Sequence, residues 1–158
     1  MALGTLVDSN VLLDVFTDDR RWGTWSADHV AAAFDAGSVA INPLIFAELS
    51  IGFDRVEDLD AALPDRLERE DLPWEGAYPA GRCFLQYRRS GGTRRSPLPD
   101  FYIAAHAAVS GRALLTRDRP RYLHLLPALE VVAPEQAAAC CAPLLQPGVQ
   151  RQLRPDAQ

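Results

Sequence analysis

An α/β fold with a mostly parallel central sheet is the class the sequence predicts, and three observations predict it. Short apolar runs alternate with stretches at helical spacing. Stop signals such as Gly37 and Gly111 close the helical stretches and hand the chain to the next apolar run. The length of 158 residues suits one sizeable core and is short for two.

The elements follow in order. Leu3 to Val7 is expected to be a buried strand that stops at Asp8, and Ser9 to Phe16 the helix it feeds, with Val11, Leu12 and Val15 at helical spacing. After a polar connection, a second helix is expected from about Ser26 to Ala36, capped by Thr24 or Ser26. Ser38 to Asn42 reads as a second strand, and Pro43 suits the first turn of a third helix running to Phe53. This β-α-α-β-α order is that of a parallel sheet with helices on its faces.

From Arg55 the pattern is polar and helical, with Leu67 to Leu72 a possible edge strand. Gly76 to Arg89 reads as a further helix. Residues 90–99 form the clearest loop, Gly-rich, basic and closed by prolines. Asp100 opens another helix that ends at Gly111; Arg112 to Thr116 is then a strand ending close to Asp118, and Leu129 to Val132 a last short strand. Residues 1–134 are taken as the domain. Residues 135–158, rich in Ala, Gln and Pro, are expected to form a C-terminal extension, a short helix or a frayed tail.

Composition excludes several functions. All 16 basic residues are arginine, so neither a P-loop lysine nor a Schiff-base lysine exists. The three cysteines, Cys83, Cys140 and Cys141, give an odd count without a C-x-x-C pair, which argues for reduced thiols rather than a disulfide framework or a zinc knuckle. A net charge of −5 argues against coating nucleic acid through bulk charge, though not against a local basic patch. No membrane span or signal peptide is seen, so a cytoplasmic location is expected by default.

Four acidic residues stand out by position: Asp8 and Asp118 after strands, Asp100 at a helix start, and Glu48 among Leu44, Ile45 and Ile51 on an apolar helix stripe. Each aspartate has a plain reading as a helix cap; Glu48 has none, and a bare carboxylate there demands a cation or donor. Right-handed crossovers make the strands parallel and let the ends carrying Asp8 and Asp118 share one sheet edge. Two carboxylates about 5 Å apart at an effective dielectric near 20 repel by roughly 3 kcal/mol, a cost that a divalent cation removes. Oxygen ligands without His or Cys favour Mg²⁺ or Mn²⁺ over zinc, and such a site suits phosphodiester hydrolysis. Asp14, six residues beyond Asp8, is expected on the surface or in an outer layer of the site.

The motifs Leu6-Val7-Asp8-Ser9-Asn10-Val11-Leu12-Leu13-Asp14, Ala47-Glu48-Leu49, Pro99-Asp100-Phe101-Tyr102-Ile103-Ala104-Ala105-His106-Ala107 and Leu114-Leu115-Thr116-Arg117-Asp118 together resemble the PIN-domain family, and within it the VapC-type toxin ribonucleases. The resemblance spans roughly Ala2 to Pro134. It implies a Rossmann-like α/β/α sandwich, an Mg²⁺ or Mn²⁺ site, endonucleolytic cleavage of RNA such as tRNA, a homodimer, and a small antitoxin of the VapB kind that blocks the site. Residue by residue it implies that Asp8, Glu48, Asp100 and Asp118 form the acidic quartet, with Asn10 and Thr116 in support.

Arg94, Arg95, Arg117, Arg119 and Arg121 flank Asp100 or Asp118 and are candidates to bind RNA phosphates, with a solvated arginine surface the equal alternative. His106 is expected to be packed or semi-exposed rather than an acid or base, and Trp22, Trp25 and Trp74 to serve packing or an interface. Two other functions fit less of the pattern. A haloacid-dehalogenase-like phosphatase usually carries a second Asp where this chain has Asn10, and it needs a lysine. A non-catalytic RNA- or antitoxin-binding module differs from the nuclease only in lacking cleavage.

Overall fold

The computed structural model describes residues 2–96, 98–120, 122 and 126–134. The elements are β1 (Thr5–Val7), α1 (Ser9–Phe16), α2 (Gly23–Ala36), β2 (Val39–Ile41), α3 (Pro43–Ser50), α4 (Val56–Ala62), β3 (Glu68–Arg69), α5 (Trp74–Arg89), α6 (Pro99–Val109), β4 (Ala113–Leu115) and β5 (Val131–Val132). The five strands make one sheet in the order β3-β2-β1-β4-β5, and every pairing is parallel. The expected edge strand exists as β3, only two residues long. The expected C-terminal extension, residues 135–158, lies outside the described residues, as do Arg121 and His124.

Strand order explains the layers. The chain steps from β1 to β2 to β3 in one direction and then returns past β1 to β4. With right-handed crossovers, α1 to α4 cover one face and α5 and α6 the other. In the packing α1 lies on α2 and α3, α3 on α4, and α5 on α6, while α3 also meets α6. The result is an α/β sandwich whose strand order reverses between β1 and β4, the crevice where open parallel sheets place ligands. Both strands deliver candidate site residues there.

The strands are short and apolar because both faces are covered. Leu6, Val7, Val39, Ala40, Ile41, Leu114 and Leu115 are almost wholly buried and form the centre of the core with Val11, Leu12, Ile45, Leu49 and Ile103. Burying one such Leu, Ile or Val stabilises the fold by about 1.5–3 kcal/mol. A smaller cluster of Ala80, Cys83, Phe101 and Ala105 joins α5 to α6.

Local signals set most boundaries. Asn42 caps α3 by accepting from the Leu44 and Ile45 N–H groups, with Pro43 in the first turn. The second helix starts earlier than the expected Thr24 or Ser26 cap: α2 begins at Gly23, with no side-chain cap at Trp22. Asp19 instead accepts from the Arg21 and Trp22 N–H groups and turns the chain into the helix. Ser26 is free of capping duty and bonds Asp14. Gly4 is at φ +152, and a Cβ there would press on Ser38 and on the Arg112 guanidinium, so only glycine fits.

Among the described residues no helix is long and apolar enough to cross a membrane.

Candidate active site

Asp8 is the last residue before α1 and is 4% exposed. Its carboxylate accepts four hydrogen bonds. The Ser9 N–H donates to Oδ1 at 2.8 Å. Oδ2 takes the Asn10 amide at 2.8 Å, the Thr116 hydroxyl at 2.7 Å and the Tyr122 hydroxyl at 3.0 Å. A buried carboxylate survives only when so satisfied. Asp8 is thus a helix cap in backbone terms, yet most of its donors come from side chains that an ordinary cap does not need.

The other three acids are each joined to Asp8 through one hydroxyl-bearing residue. Ser9, whose N–H meets Asp8, donates its hydroxyl to Glu48 Oε2 at 2.5 Å. Tyr122 reaches Asp100 Oδ1 at 3.4 Å with the same hydroxyl that donates to Asp8. Thr116, which donates to Asp8, accepts from the Asp118 N–H at 3.2 Å. The structure therefore brings Asp8, Glu48, Asp100 and Asp118 to one end of the sheet, from the ends of β1 and β4, the middle of α3 and the start of α6. They are not packed against one another: among the described residues no three His, Cys, Asp or Glu side chains close into a cation cage.

Asn10 and Thr116 lie at the centre of this network. The Asn10 amide oxygen accepts from the Arg117 N–H at 3.1 Å, which turns its NH₂ toward Asp8 and toward Thr116 Oγ1 at 3.1 Å. Every polar atom of the pair is committed, so Asp8 has little freedom to turn.

Three expectations about individual residues change. Glu48 is only partly buried, and Ile51, its supposed apolar neighbour, is 87% exposed, because α3 ends at Ser50 and its buried stripe is Ile45 and Leu49. Ser9 supplies a donor to Glu48. Asp14 is not a surface group but is 3% exposed beneath α2. It accepts from Ser26 Oγ at 2.8 Å and lies 3.1 Å from Arg117 Nε, an oblique ion pair rather than a hydrogen bond. Burial raises the Asp14 carboxyl above its usual range, with Ser26 and Arg117 opposing. Arg117 is thereby turned inward, whereas Arg94, Arg95 and Arg119 are exposed.

His106 is buried, within the expectation that it packs, and its surroundings fix its tautomer. Asn42 spends its amide oxygen on capping α3, so its NH₂ faces His106 Nδ1 at 3.2 Å and Nε2–H donates to Glu70 at 3.1 Å. Burial holds the imidazole below its ordinary pKa, with Glu70 opposing. Burial would raise Glu70, but hydrogen bonds and charge from Arg112, with His106, outweigh it and keep its carboxyl low. Trp25 packs on the core, and Trp74 is 89% exposed.

Ser9 and Tyr122 escaped the sequence reading. Ser9 had a weak signal as the residue beside Asp8 at the helix start; Tyr122 had none, since only the fold brings it under Asp8.

The donor set fits a hard divalent cation. The four acids offer oxygen ligands and no nitrogen or sulfur, although among the described residues they do not close into a cage, and Asp8 Oδ1 carries one hydrogen bond against three on Oδ2.

Residues 5–120 match the family model described as PIN domain. No curated protein matches the chain. Among solved structures, VapBC2 from Rickettsia felis bound to a DNA fragment from its promoter matches at TM-score 0.65 and 18% identity, covering 83% of this chain and 98% of that one. VapBC-1 from nontypeable Haemophilus influenzae matches at 0.62 and 17%, covering 82% and 96%. A toxin-antitoxin complex from Klebsiella pneumoniae matches at 0.58 and 22%, covering 82% and 97%. At these identities the likeness is one of fold.

Proposed function

Since the chain belongs to the PIN-domain family, we propose that it is a toxin-type, metal-dependent endoribonuclease of the VapC kind, which hydrolyses RNA and is neutralised by a small antitoxin of the VapB kind. The observation that carries the reading is the tethering of Glu48, Asp100 and Asp118 to Asp8 through Ser9, Tyr122 and Thr116. Gathering four acidic residues from distant parts of the chain at one end of the sheet places negative charges near one another, which does not favour stability. The resemblance of the fold to chains of toxin–antitoxin complexes supports the antitoxin partner; a homodimer and structured RNA such as tRNA belong to the same proposal.

Asp8, Asp100 and Asp118, with Glu48, would hold Mg²⁺ or Mn²⁺, and the ion when bound supplies an activated water and stabilises the leaving oxygen. The chain's own part is positioning. Ser9, Asn10 and Thr116 hold Asp8 in one orientation, and Thr116 fixes the turn that presents Asp118. Glu48, partly exposed, lies at the rim where a water or ribose hydroxyl can reach it.

The test is cleavage of total RNA and tRNA by the purified chain with Mn²⁺ or Mg²⁺ against EDTA. Cleavage should need the metal and fall by at least about a hundredfold in Asp8→Asn and Asp100→Asn. Full activity in either folded variant overturns the assignment. Tight RNA binding without cleavage at any metal concentration would instead support a non-catalytic binding module.

A further inference from the structure

Helix α5 and the loop that follows it form a basic stretch in an acidic chain. Residues 74–95 hold five arginines and a single acidic residue, Glu75, in a protein of net charge −5. Trp74, Tyr78, Arg82, Gln86 and Arg89 follow one another at intervals of three or four and so share one helix face. All five are exposed, Trp74 by 89% and Tyr78 by 76%. The opposite face, with Ala80 and Cys83, packs on Phe101 and Ala105 of α6.

Beside this face runs a groove of about 470 Å³, lined by Tyr78, Arg82, Gln86 and Arg89 over a floor that includes Pro79 and Leu126. Among the described residues no acidic one lines it. The groove leads toward the acids. Helices α5 and α6 are antiparallel: Gly76 lies against Ala105, and Tyr87 against Phe101. Arg89 is therefore at the Asp100 end of the pair. Leu126 bonds back through its N–H to the carbonyl of Tyr122, the residue that touches Asp8 and Asp100. The basic loop is held to the same end, with Arg88 donating to the Arg94 carbonyl at 2.8 Å and Gly92 seated under the Tyr87 ring.

We propose that this groove binds an unpaired stretch of the RNA substrate, with a base on Tyr78 and the flanking phosphates on Arg82 and Arg89. The inference rests on the nuclease reading of the acid cluster and adds a place on the protein that takes the RNA away from the cut. Exposed aromatic faces stack on bases only where the bases are unpaired, and arginines along the same face track the backbone. Tyr78 to Arg89 spans about 16 Å of helix at about 1.5 Å per residue, room for a short single-stranded segment. A protein partner of ordinary composition gains little from arginines with no counter-charge, whereas a polyanion gains from each.

The experiment is fluorescence anisotropy in EDTA, where no cut is made, using a fluorescein-labelled single-stranded RNA of about 12 nucleotides and the same strand annealed to its complement. The wild type should prefer the single strand. Tyr78→Ala should weaken single-strand binding at least about fivefold, the lower end of the stacking range, without changing its salt dependence. Arg82→Gln combined with Arg89→Gln should reduce the slope of log K against log salt by about 1.4. All three side chains are exposed, and circular dichroism checks folding. Wild-type binding by the variants, no binding or no strand preference in the wild type, or a change in mass by light scattering that marks the groove as a subunit contact, each overturns the proposal. If the wild type cleaves RNA while the groove variants bind normally, this site alone is wrong; if the wild type never cleaves with any metal, the nuclease reading fails first.

Discussion

Tyr122→Phe isolates the contribution of one hydroxyl to the acid network. The ring, fully buried, stays in place, and what leaves is an O–H that donates to Asp8 Oδ2 at 3.0 Å and lies 3.4 Å from Asp100. A hydrogen bond to a charged group contributes about 1.5–3 kcal/mol. Asp8 keeps the Ser9, Asn10 and Thr116 donors, so the loss falls at the low end, about 1.5 kcal/mol. For a chain of this size each kcal/mol moves Tm by about 2–4 °C, which puts the expected drop at about 3–6 °C in EDTA. Differential scanning calorimetry reads it, and a cycle with Asp8→Asn assigns it, because the phenol matters less once Asp8 is neutral. A Tm within 1 °C of wild type, or an equal drop in the Asp8→Asn background, would refute the reasoning.

Three more outcomes are expected. Arg117→Met leaves buried Asp14 with Ser26 as its remaining described hydrogen-bond partner and should lower stability by about 1–2 kcal/mol in urea titration, discounted for the partial exposure of the arginine. His106 has a folded pKa below its unfolded value near 6.5, so its contribution is fully present above that pH and is lost as pH falls through the folded value. The decline in stability on acidifying below about pH 6.5 should therefore flatten in His106→Gln, with Glu70 and Arg112 unchanged beside it; an unaltered pH profile would contradict this. Gly4→Ala forces a side chain at φ +152 against Ser38 and Arg112 and should cost at least about 2 kcal/mol, measured by the denaturation midpoint at constant m.

Much of the fold was legible because its signals are local. The helix after Asp8, the Pro43 start of α3 and the Gly111 stop each depend on a few adjacent residues, and strands buried on both faces read as apolar runs wherever they sit in the sheet. The start of α2 was misplaced because Asp19 turns the chain without being the capping residue, a role that spacing does not reveal. Whether Asp14 lies at the surface or behind the acids was left open by the sequence, because its place depends on Ser26 and Arg117, which arrive from other elements.

By itself the sequence determined the order of elements and the parallel α/β class, and it singled out four carboxylates that the fold brings to one end of the sheet, since residue type and spacing carry that information. Only the tertiary structure decided how those carboxylates are held. The bonds that hold these acids join residues 39, 108 and 114 positions apart, Ser9 to Glu48, Asp8 to Thr116 and Asp8 to Tyr122. Hydrogen bonds are sensitive to tenths of an ångström and to direction. No pattern along the chain encodes them until the sheet has set β1 beside β4 and placed Tyr122 beneath Asp8.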